Sequence, residues 1–380
     1  MSLKKEYIRI GKTKFPMKIA VIGSRGYPYV YSGYETFVKE VSERFVKKNI
    51  SVVVYCHKEL FKQKPKKVNG IDLIYIPTIQ SKSLSQFIHS FFSVIHFCFS
   101  DVKNLLVVNV ANAPFGFLTF LFKKKIIINV DGMEWLRPKW KGIGQRYFKF
   151  CAKIVKYSFD HIITDSEQMK KIYQENFSTY SSVIKYGPIK SDAQSSQILK
   201  KLRLKKESFF LVIGRLIPDN NADMIINEFL DSSINKKLVI VGDVPYKSSY
   251  SYLLKKRGSD SVIFTGYISK ENELADLYRY CFVYIHGHEF GGTNPTLINA
   301  INFNCRILAL DTIFNREMLN DGEYGAFFKK NDKSLTSLFK DLKTKCHDKL
   351  ISNPTIYIEK NYNWELIVKQ YIDVFEQLKP

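Results

Sequence analysis

The sequence predicts an α/β protein built from two doubly wound, Rossmann-like domains. Short runs rich in β-branched and aromatic residues alternate with helical patterns, and this alternation begins again after residue 208. The chain has 380 residues, which is too long for one ordinary hydrophobic core. Most of the predicted strands are apolar on both faces, which favours parallel sheets covered by helices.

The first domain is expected over residues 17–187. Its predicted strands cover residues 17–23, 51–55, 71–76, 105–108, 125–130 and 161–164. Phe37, Val41 and Phe45 recur at helical spacing between charged residues. This order of strand, glycine-bearing loop and helix is typical of the start of a βαβ unit.

The second domain is expected over residues 188–361, after a polar junction at 186–192. Its predicted strands cover residues 209–213, 237–241, 262–264, 282–285 and 306–310. Residues 362–380 are expected to form an amphipathic helix that packs back toward the first domain. Residues 1–16 carry five basic residues and no apolar segment, so they are interpreted as a basic tail rather than an export signal.

The composition of the chain bears on its compartment, on membrane spans and on the charge of its partners. The six cysteines are scattered without a CxxC pair, which favours free thiols in the reducing cytoplasm. The longest apolar stretches, 87–99 and 113–122, are shorter than the roughly 18–20 residues of a membrane span. Residues 1–187 carry 31 Lys and Arg against 13 Asp and Glu, whereas residues 188–380 carry 27 against 23. This excess indicates an anionic partner for the first half, such as nucleic acid, an acidic membrane or a phosphorylated substrate, or else a solvated basic surface.

Ligands bind beyond the carboxyl ends of strands in parallel sheets, so the loops there are the candidate sites. The first strand leads into GSRG (23–26), and the strand 209–213 leads into Gly214 and Arg215. The strand 282–285 leads into HGHEFGGTNPTLINA (286–300), where a glycine pair precedes a helix start. No further ligands are spaced to complete a metal site with its histidines, so an anion or a sugar is the expected ligand.

Two further patterns lie in the first domain. DGMEW (131–135) offers the carboxylates of Asp131 and Glu134 for acid–base chemistry and the flat ring of Trp135 for a sugar, or else it is a solvated loop with one buried Trp. A basic stripe beside aromatic residues indicates either attraction to anionic lipid or a solvated helix face. The stripe consists of Arg146, Lys149, Lys153 and Lys156.

Together these motifs resemble the retaining nucleotide-sugar glycosyltransferases of the GT-B fold (glycosyl transferases group 1, family 4), and within them a bacterial rhamnosyltransferase branch. The matching segments are GSRGYP (23–28), YSGYETF (31–37), VDGMEW (130–135), KW (139–140), GRLIPDNN (214–221), HGHEFGGTNP (286–295) and FNRE (314–317). The resemblance covers nearly the whole of residues 17–375. It implies two Rossmann-like domains that face each other across a cleft.

The resemblance implies that the second domain holds most of the donor. Arg215 would neutralise the donor diphosphate, which backbone N–H groups of the 291–293 loop would also bind, while Glu289 would lie near the donor sugar. Asn220 stands where the wider family has a lysine, and Asn299 stands where it has a ribose-binding glutamate. The donor-binding residues are expected to be Gly26, Arg215, Asn220, His288, Gly291, Gly292, Thr293 and Asn299.

The resemblance also implies that the first domain receives the acceptor. Asp131 and Glu134 would orient or deprotonate the acceptor hydroxyl and, with Glu289, make up the catalytic carboxylates. No covalent nucleophile, metal ion or cofactor is expected. Acceptor and membrane contacts are expected at Tyr34, Trp135, Arg146, Lys149, Lys153 and Lys156, with the basic segment 58–67 as a second membrane contact.

The expected function is transfer of a sugar with retention onto a polyprenyl-diphosphate-linked saccharide in bacterial surface polysaccharide synthesis. L-rhamnose from dTDP-L-rhamnose is the expected donor, and another nucleotide-activated hexose, for example UDP-linked, is the alternative. The enzyme is expected on the cytoplasmic face of the plasma membrane, held there by anionic lipid. A nucleic-acid-binding protein is the non-enzyme alternative that charge alone suggests, although no RNP, KH or zinc pattern accompanies it.

Overall fold

A computed structural model describes residues 17–28, 33–79, 84–130, 132–138, 140–191, 194–331, 333–344 and 354–378. The expected basic tail 1–16 therefore lies outside the described residues. The chain forms two compact units. The first comprises residues 1–106, 118–125 and 380, and the second comprises residues 107–117 and 126–379.

The first unit is a parallel sheet with helices. Its strands are β1 (Lys18–Ile22), β2 (Ser51–His57), β3 (Lys67–Val68), β4 (Ile71–Ile76) and β5 (Asn104–Val108), and its helices are α1 (Gly33–Lys47) and α2 (Leu84–Phe99). The strand order is β3-β4-β2-β1-β5. The strands β1, β2 and β4 pair in parallel, and the short β3, which the sequence did not predict, pairs antiparallel with β4. Phe37, Val41 and Phe45 are all buried, so the predicted apolar face of α1 packs on this sheet.

The second unit contains a parallel group of strands from the first half of the chain. The elements are β6 (Lys125–Val130), α3 (Ile143–Ser158), β7 (His161–Thr164), α4 (Glu167–Phe177) and β8 (Ser182–Val183). The strands pair in the order β6-β7-β8, with Ile128 opposite Ile162. Ser166 caps α4, because its hydroxyl accepts a hydrogen bond from the N–H of Met169.

The same unit contains a second parallel sheet from the second half of the chain. Its elements are α5 (Gln197–Lys201), β9 (Phe209–Ile213), α6 (Ala222–Asp231), β10 (Lys237–Val241), α7 (Ser249–Lys255), β11 (Val262–Gly266), α8 (Glu271–Tyr280), β12 (Val283–His286), α9 (Pro295–Asn302), β13 (Ile307–Leu310), α10 (Ile313–Met318), β14 (Ala326–Phe328) and α11 (Ser334–Thr344). The strand order is β11-β10-β9-β12-β13-β14, and each strand runs parallel to its neighbours. Both halves of the chain are therefore parallel α/β structures, and the predicted fold class is confirmed.

The core of this second sheet is aromatic. Phe210 on β9 makes edge-to-face contacts with Phe229, Phe282 and Phe339, and the ring centroids lie 4.8–5.9 Å apart. All four side chains are buried. Edge-to-face pairs of this kind contribute about 0.5–1.5 kcal/mol beyond the burial of their area.

The order of the strands places the candidate site. The chain runs outward from β9 through β10 to β11 and then returns to the other side of β9 with β12. The loops that follow β9 and β12 therefore flank the topological switch point, where ligands bind in open parallel sheets. These two loops carry Arg215 and the glycine pair Gly291 and Gly292.

The chain ends in α12 (Thr355–Asn361) and α13 (Trp364–Gln377). The buried Tyr371 hydroxyl on α13 accepts a hydrogen bond from Asn129 Nδ2 on β6 at 2.6 Å. Trp364 Nε1 donates to the Pro188 carbonyl at 2.9 Å. The final helix thus contacts both β6 and the segment that links the two halves of the chain.

Candidate active site

The loop after β12 is shaped by glycine. Gly291 has a φ of +125°, a conformation that strongly favours glycine. A Cβ at Gly292 would overlap the Asp165 carboxylate, which lies at the end of β7. Among the described residues, the N–H groups of Gly291 and Gly292 have no hydrogen-bond partner, so both are available to a ligand.

Thr293 is held differently from its two glycine neighbours. Its N–H donates to Asp165 Oδ2 at 2.9 Å, and its hydroxyl donates to the Asp165 carbonyl. The expectation that the Thr293 N–H binds the donor diphosphate is therefore at odds with the structure, because Asp165 already accepts that hydrogen bond. The contact instead fixes the glycine loop against the end of β7.

The helix behind this loop begins as the sequence predicts. Asn294 caps α9, because its Oδ1 accepts a hydrogen bond from the Thr296 N–H at 3.0 Å. Pro295 occupies the first helical position, where its missing N–H costs nothing. The first turn of α9 is thus fixed directly after the glycine loop.

Arg215 follows β9 and provides the unpaired positive charge of the site. Its guanidinium has no hydrogen-bond or ion-pair partner among the described residues, although its backbone carbonyl accepts from Asn220 Nδ2 at 2.8 Å. Asn220 is buried and holds the shape of the turn, so this amide group is used inside the protein. Gly214 allows close packing, because a Cβ there would lie 2.7 Å from His288 Cε1.

His286 and His288 form a stacked pair of neutral rings. Their centroids lie 4.4 Å apart and their planes differ by 13°. Burial lowers the pKa of His286 to about 3. The pKa of His288 lies well below its usual range, mainly because the ring is buried. The electrostatic effects of His286, Arg215 and Arg137 lower it further. Both rings are therefore uncharged near neutral pH and cannot act as cations toward an anionic ligand.

Arg137 is a residue of this site that sequence reasoning missed. Its Nε lies 2.8 Å from Glu134 Oε1, and its Nη1 lies 3.4 Å from Asp219 Oδ2. A Cβ on Gly132 or Gly291 would come within 4 Å of its Nη2, so the arginine borders the glycine loop. The available signal was its place two residues after the VDGMEW motif, together with its permanent charge.

Glu134 is held on both of its carboxylate oxygens. Oε1 pairs with Arg137, and Oε2 accepts from Trp140 Nε1 at 2.8 Å. Its predicted catalytic role stays a prediction, and it would require one of these contacts to be exchanged for substrate. Asp131, the other predicted carboxylate of this motif, lies outside the described residues.

Trp135 does not offer the predicted flat face for a sugar. Its side chain is buried, and its ring makes edge-to-face contacts with Tyr173 and Phe177 of α4 at 5.8 and 5.2 Å. The physical reason is that α4 presents an aromatic face to this turn and removes the indole from water. This finding corrects the expectation for Trp135.

Glu289 and Asn299 are also engaged within the protein. Glu289 Oε2 lies 2.8 Å from Lys330 Nζ, and the Glu289 N–H donates to the Asp219 carbonyl at 3.1 Å. Asn299 is buried, and its Oδ1 accepts from the N–H of Ile189 at 2.9 Å. The predicted donor contacts of Glu289 and Asn299 stay predictions, and both side chains already have structural partners.

The predicted residues of the first unit have local roles. Gly26 has a φ of +122°, and a Cβ there would lie 2.8 Å from Cys56 Sγ, so the turn requires glycine. The Arg25 N–H donates to Glu35 Oε1 at 3.0 Å, which ties the glycine loop to α1. Tyr34 is half-buried in the first turn of that helix.

The predicted basic stripe lies on α3. Arg146, Lys149 and Lys153 are exposed, whereas Lys156 is half-buried and donates to the Phe177 carbonyl at the end of α4 at 2.8 Å. The exposed Ile143, Phe150 and Tyr157 recur every seven residues on the same helix. The exposed side of α3 thus combines basic and apolar side chains, and Lys156 has a structural role.

Across the described ranges, no cluster of three or more His, Cys, Asp or Glu side chains is arranged to hold a metal ion. Across the same ranges, no helix combines the length and apolarity needed to cross a bilayer.

The arrangement is suited to a multiply charged anion. The guanidinium of Arg215 and the N–H groups of Gly291 and Gly292 are available donors, and the loops that carry them flank the switch point of the sheet. The charge of Arg137 is partly balanced by Glu134 and Asp219. Prearranged donors of this kind stabilise negative charge that develops on a leaving group.

The two halves of the chain match two different protein families. Residues 194–364 match the family described as Glycosyl transferases group 1. Residues 17–188 match a family described as Domain of unknown function (DUF1972).

Two sequence relatives extend the comparison. An uncharacterized glycosyltransferase from Methanocaldococcus jannaschii is 25% identical over 283 residues, which cover 70% of this chain and 71% of the relative. An N-acetylgalactosamine-N,N'-diacetylbacillosaminyl-diphospho-undecaprenol 4-alpha-N-acetylgalactosaminyltransferase from Campylobacter jejuni is 24% identical over 204 residues, which cover 53% of this chain and 54% of the relative.

Solved structures share the fold over almost the whole chain. Sucrose-phosphate synthase from Thermosynechococcus elongatus superposes with a TM-score of 0.76 at 14% identity, covering 95% of this chain and 98% of its own. HepE from Anabaena, solved in complex with UDP and glucose, gives a TM-score of 0.74 at 13% identity, with 96% and 100% covered. Residues 194–364 therefore form a glycosyl transferases group 1 domain, and the chain as a whole shares the two-domain GT-B fold of these solved structures.

Proposed function

We propose that this enzyme transfers L-rhamnose from dTDP-L-rhamnose, with retention, onto a lipid-linked saccharide during synthesis of a bacterial surface polysaccharide such as capsule, O-antigen or cell-wall glycan. The observation that carries the donor class is the unpaired Arg215 guanidinium on one loop of the switch point, with the N–H groups of Gly291 and Gly292 on the other. A diphosphate leaving group matches these donors in charge.

The proposed reaction breaks the bond between the sugar C1 and the diphosphate oxygen. The acceptor hydroxyl forms a new bond to C1 on the same face, its proton passes to the departing phosphate, and the nucleoside diphosphate leaves with its charge neutralised by Arg215. Side chains and backbone N–H groups supply this stabilisation in the proposal, so no metal ion takes part. No covalent intermediate with the protein is proposed.

The lipid-linked acceptor is supported by the relative from Campylobacter jejuni, whose name describes transfer onto a diphospho-undecaprenol-linked sugar. The exposed Arg146, Lys149 and Lys153 would attract the anionic lipids of the membrane that carries such an acceptor. We propose that the enzyme works peripherally at the cytoplasmic face of that membrane.

A UDP-linked hexose is the second candidate donor. The observation in its favour is the structural likeness to HepE, which was solved with UDP and glucose. Asn299 does not favour either nucleotide, because its Oδ1, the predicted ribose contact, already accepts a hydrogen bond from the Ile189 N–H.

One experiment tests both the donor and the acceptor. The protein is incubated with a panel of nucleotide sugars, with and without a synthetic polyprenyl-diphosphate-linked sugar, and released nucleoside diphosphate is measured. Acceptor-dependent release of dTDP from dTDP-L-rhamnose is expected. Faster release of UDP from a UDP-hexose would replace the donor assignment, and equal release with and without the acceptor would overturn the lipid-linked acceptor.

A further inference from the structure

Helix α2 exposes large aromatic side chains. The helix contains no Asp, Glu, Lys or Arg, and its buried side carries both polar residues, such as His89 and Ser93, and apolar residues, such as Phe97. Phe92 and Phe99, seven residues apart on one face, are exposed, and Phe99 is 78% exposed. Apolar side chains of this helix are thus left in water on the side away from the core.

The segment that leads into β6 continues this apolar surface. Leu118, Phe120 and Leu121 are exposed, whereas Thr119 between them is buried. Leu121 is 91% exposed, so almost none of its side chain contacts the protein. Leaving such a side chain in water forgoes roughly 1.5–3 kcal/mol of burial energy, which indicates a partner.

Direct contacts join this segment to α2. Cys98 Sγ lies 3.6 Å from the Leu118 carbonyl, and the rings of Phe99 and Phe122 meet edge to face with centroids 5.1 Å apart. Lys124 Nζ donates to the Ser100 and Val102 carbonyls, both at 2.7 Å. Phe92, Phe99, Leu118, Phe120 and Leu121 are called the aromatic surface below.

Basic residues lie beside the aromatic surface. Lys123 lies two residues after Leu121 and is exposed, and Lys103 is exposed next to the Val102 carbonyl that accepts from Lys124. The nearby Asp101 is paired with Lys18 at 3.0 Å, so its negative charge is compensated. Aromatic and leucine side chains flanked by lysines are complementary to a bilayer whose headgroups are anionic and whose interior is apolar.

We propose that the aromatic surface inserts into the headgroup region of an anionic phospholipid bilayer, with Lys103 and Lys123 on the lipid phosphates. This inference rests on the proposed peripheral membrane attachment and deepens it by giving the first unit an apolar anchor of its own. A second copy of the chain fits less well, because a symmetric contact through this surface would bring the lysines of the two copies together.

Vesicle flotation tests the inference. Full-length wild type is compared with a double variant, Phe99→Ser with Leu121→Ser, on vesicles of phosphatidylcholine with phosphatidylglycerol. Both side chains are mostly exposed, so the temperature of thermal unfolding should fall only slightly, through loss of the ring contact between Phe99 and Phe122. Leu253→Ser on α7 is the matched control, because Leu253 is an exposed leucine near the basic residues Lys255 and Lys256. The partition coefficient of the double variant onto vesicles should fall by about tenfold or more, and Leu253→Ser should bind as wild type does.

Insertion itself can be read from fluorescence. Leu121→Trp should be quenched by vesicles with brominated acyl chains, whereas Leu253→Trp should not. If wild type binds vesicles and the double variant binds equally well, insertion of the aromatic surface is refuted, while the proposed attachment through α3 stands. If wild type does not bind at all, both proposals fail. If the double variant instead turns a dimer into a monomer and keeps its vesicle binding, the occupant is a second copy and the inference is overturned.

Discussion

Arg137 Nη1 lies 3.4 Å from Asp219 Oδ2, and this pair connects the motif that follows β6 to the loop that follows β9. The same arginine holds Glu134 through its Nε, and Asp219 receives the N–H of Glu289 on its carbonyl. Two predicted catalytic carboxylates, Glu134 and Glu289, are thus tied into one network whose centre is Arg137 and Asp219.

Arg137→Met should destabilise the protein strongly. The side chain of Arg137 is only 10% exposed, and its removal leaves the buried carboxylate of Asp219 without a cation. The free energy of unfolding should fall by about 3–5 kcal/mol, measured by urea denaturation. Lys67→Met is the control, because both members of its ion pair with Asp72 are exposed, and it should cost about 0–1 kcal/mol. Equal losses for the two variants would show that the Arg137 network contributes no more than a surface pair.

Gly292→Ala should disturb the donor loop. The added methyl group would overlap the Asp165 carboxylate, so Asp165 must move and release the Thr293 N–H. We expect a loss of about 1–3 kcal/mol in unfolding free energy and weaker binding of nucleoside diphosphate. A double-mutant cycle with Asp165→Ala checks the cause, since the two losses should not add. Strict additivity would mean that the methyl group clashes elsewhere.

Asn299→Ala separates a structural role from a donor contact. Removing the amide leaves the Ile189 N–H without its acceptor, which should cost about 1–3 kcal/mol of stability. The KM for the nucleotide sugar should stay unchanged if the main role of Asn299 is its hydrogen bond to the Ile189 N–H. A raised KM with unchanged stability would instead support the ribose contact that the sequence resemblance implies.

Buried histidines should make the protein sensitive to acid. Burial lowers the pKa of His57 to about 4 and that of His89 to about 3, with smaller contributions from Arg25 and from His57 respectively. Because the unfolded chain takes up protons below about pH 6.5 and the folded chain does not, stability is complete above that pH and falls as the pH drops toward 4.

His89→Phe tests this pH dependence. In the wild type the rings of His57 and His89 are stacked with their centroids 3.8 Å apart. The substitution keeps an aromatic ring in this position and removes one titrating group. The slope of unfolding free energy against pH should decrease by about 1.4 kcal/mol per pH unit between about pH 6 and 4. Identical slopes for the variant and wild type in a urea series would contradict the assignment.

The loops of the candidate site were predictable because strand ends and glycines are local signals. The runs before Arg215 and before His286 identify buried strands, and parallel sheets place the loops after such strands at one edge. The cap of Asn294 and the position of Pro295 follow from local chemistry as well.

The partners of individual side chains were not predictable, because they depend on distant segments. Nothing near Trp135 in sequence indicates that Tyr173 and Phe177 cover its ring, and nothing near Thr293 indicates that Asp165 takes its N–H. Arg137 was missed for the same reason, because its partner Asp219 is 82 residues away. The short strands β3, β8 and β14 have two or three residues each, which is too short for a recognisable apolar or alternating pattern.

The assignment of the donor diphosphate to Arg215 is tested most directly by calorimetric titration of dTDP and UDP into wild type, Arg215→Ala and Arg203→Ala. Arg203 is an exposed arginine of the same half of the chain and serves as the matched control. We expect Arg215→Ala to weaken binding of the nucleoside diphosphate by about 10- to 100-fold, while Arg203→Ala binds as wild type does. Undiminished binding by Arg215→Ala would contradict the assignment of the diphosphate to the loops after β9 and β12.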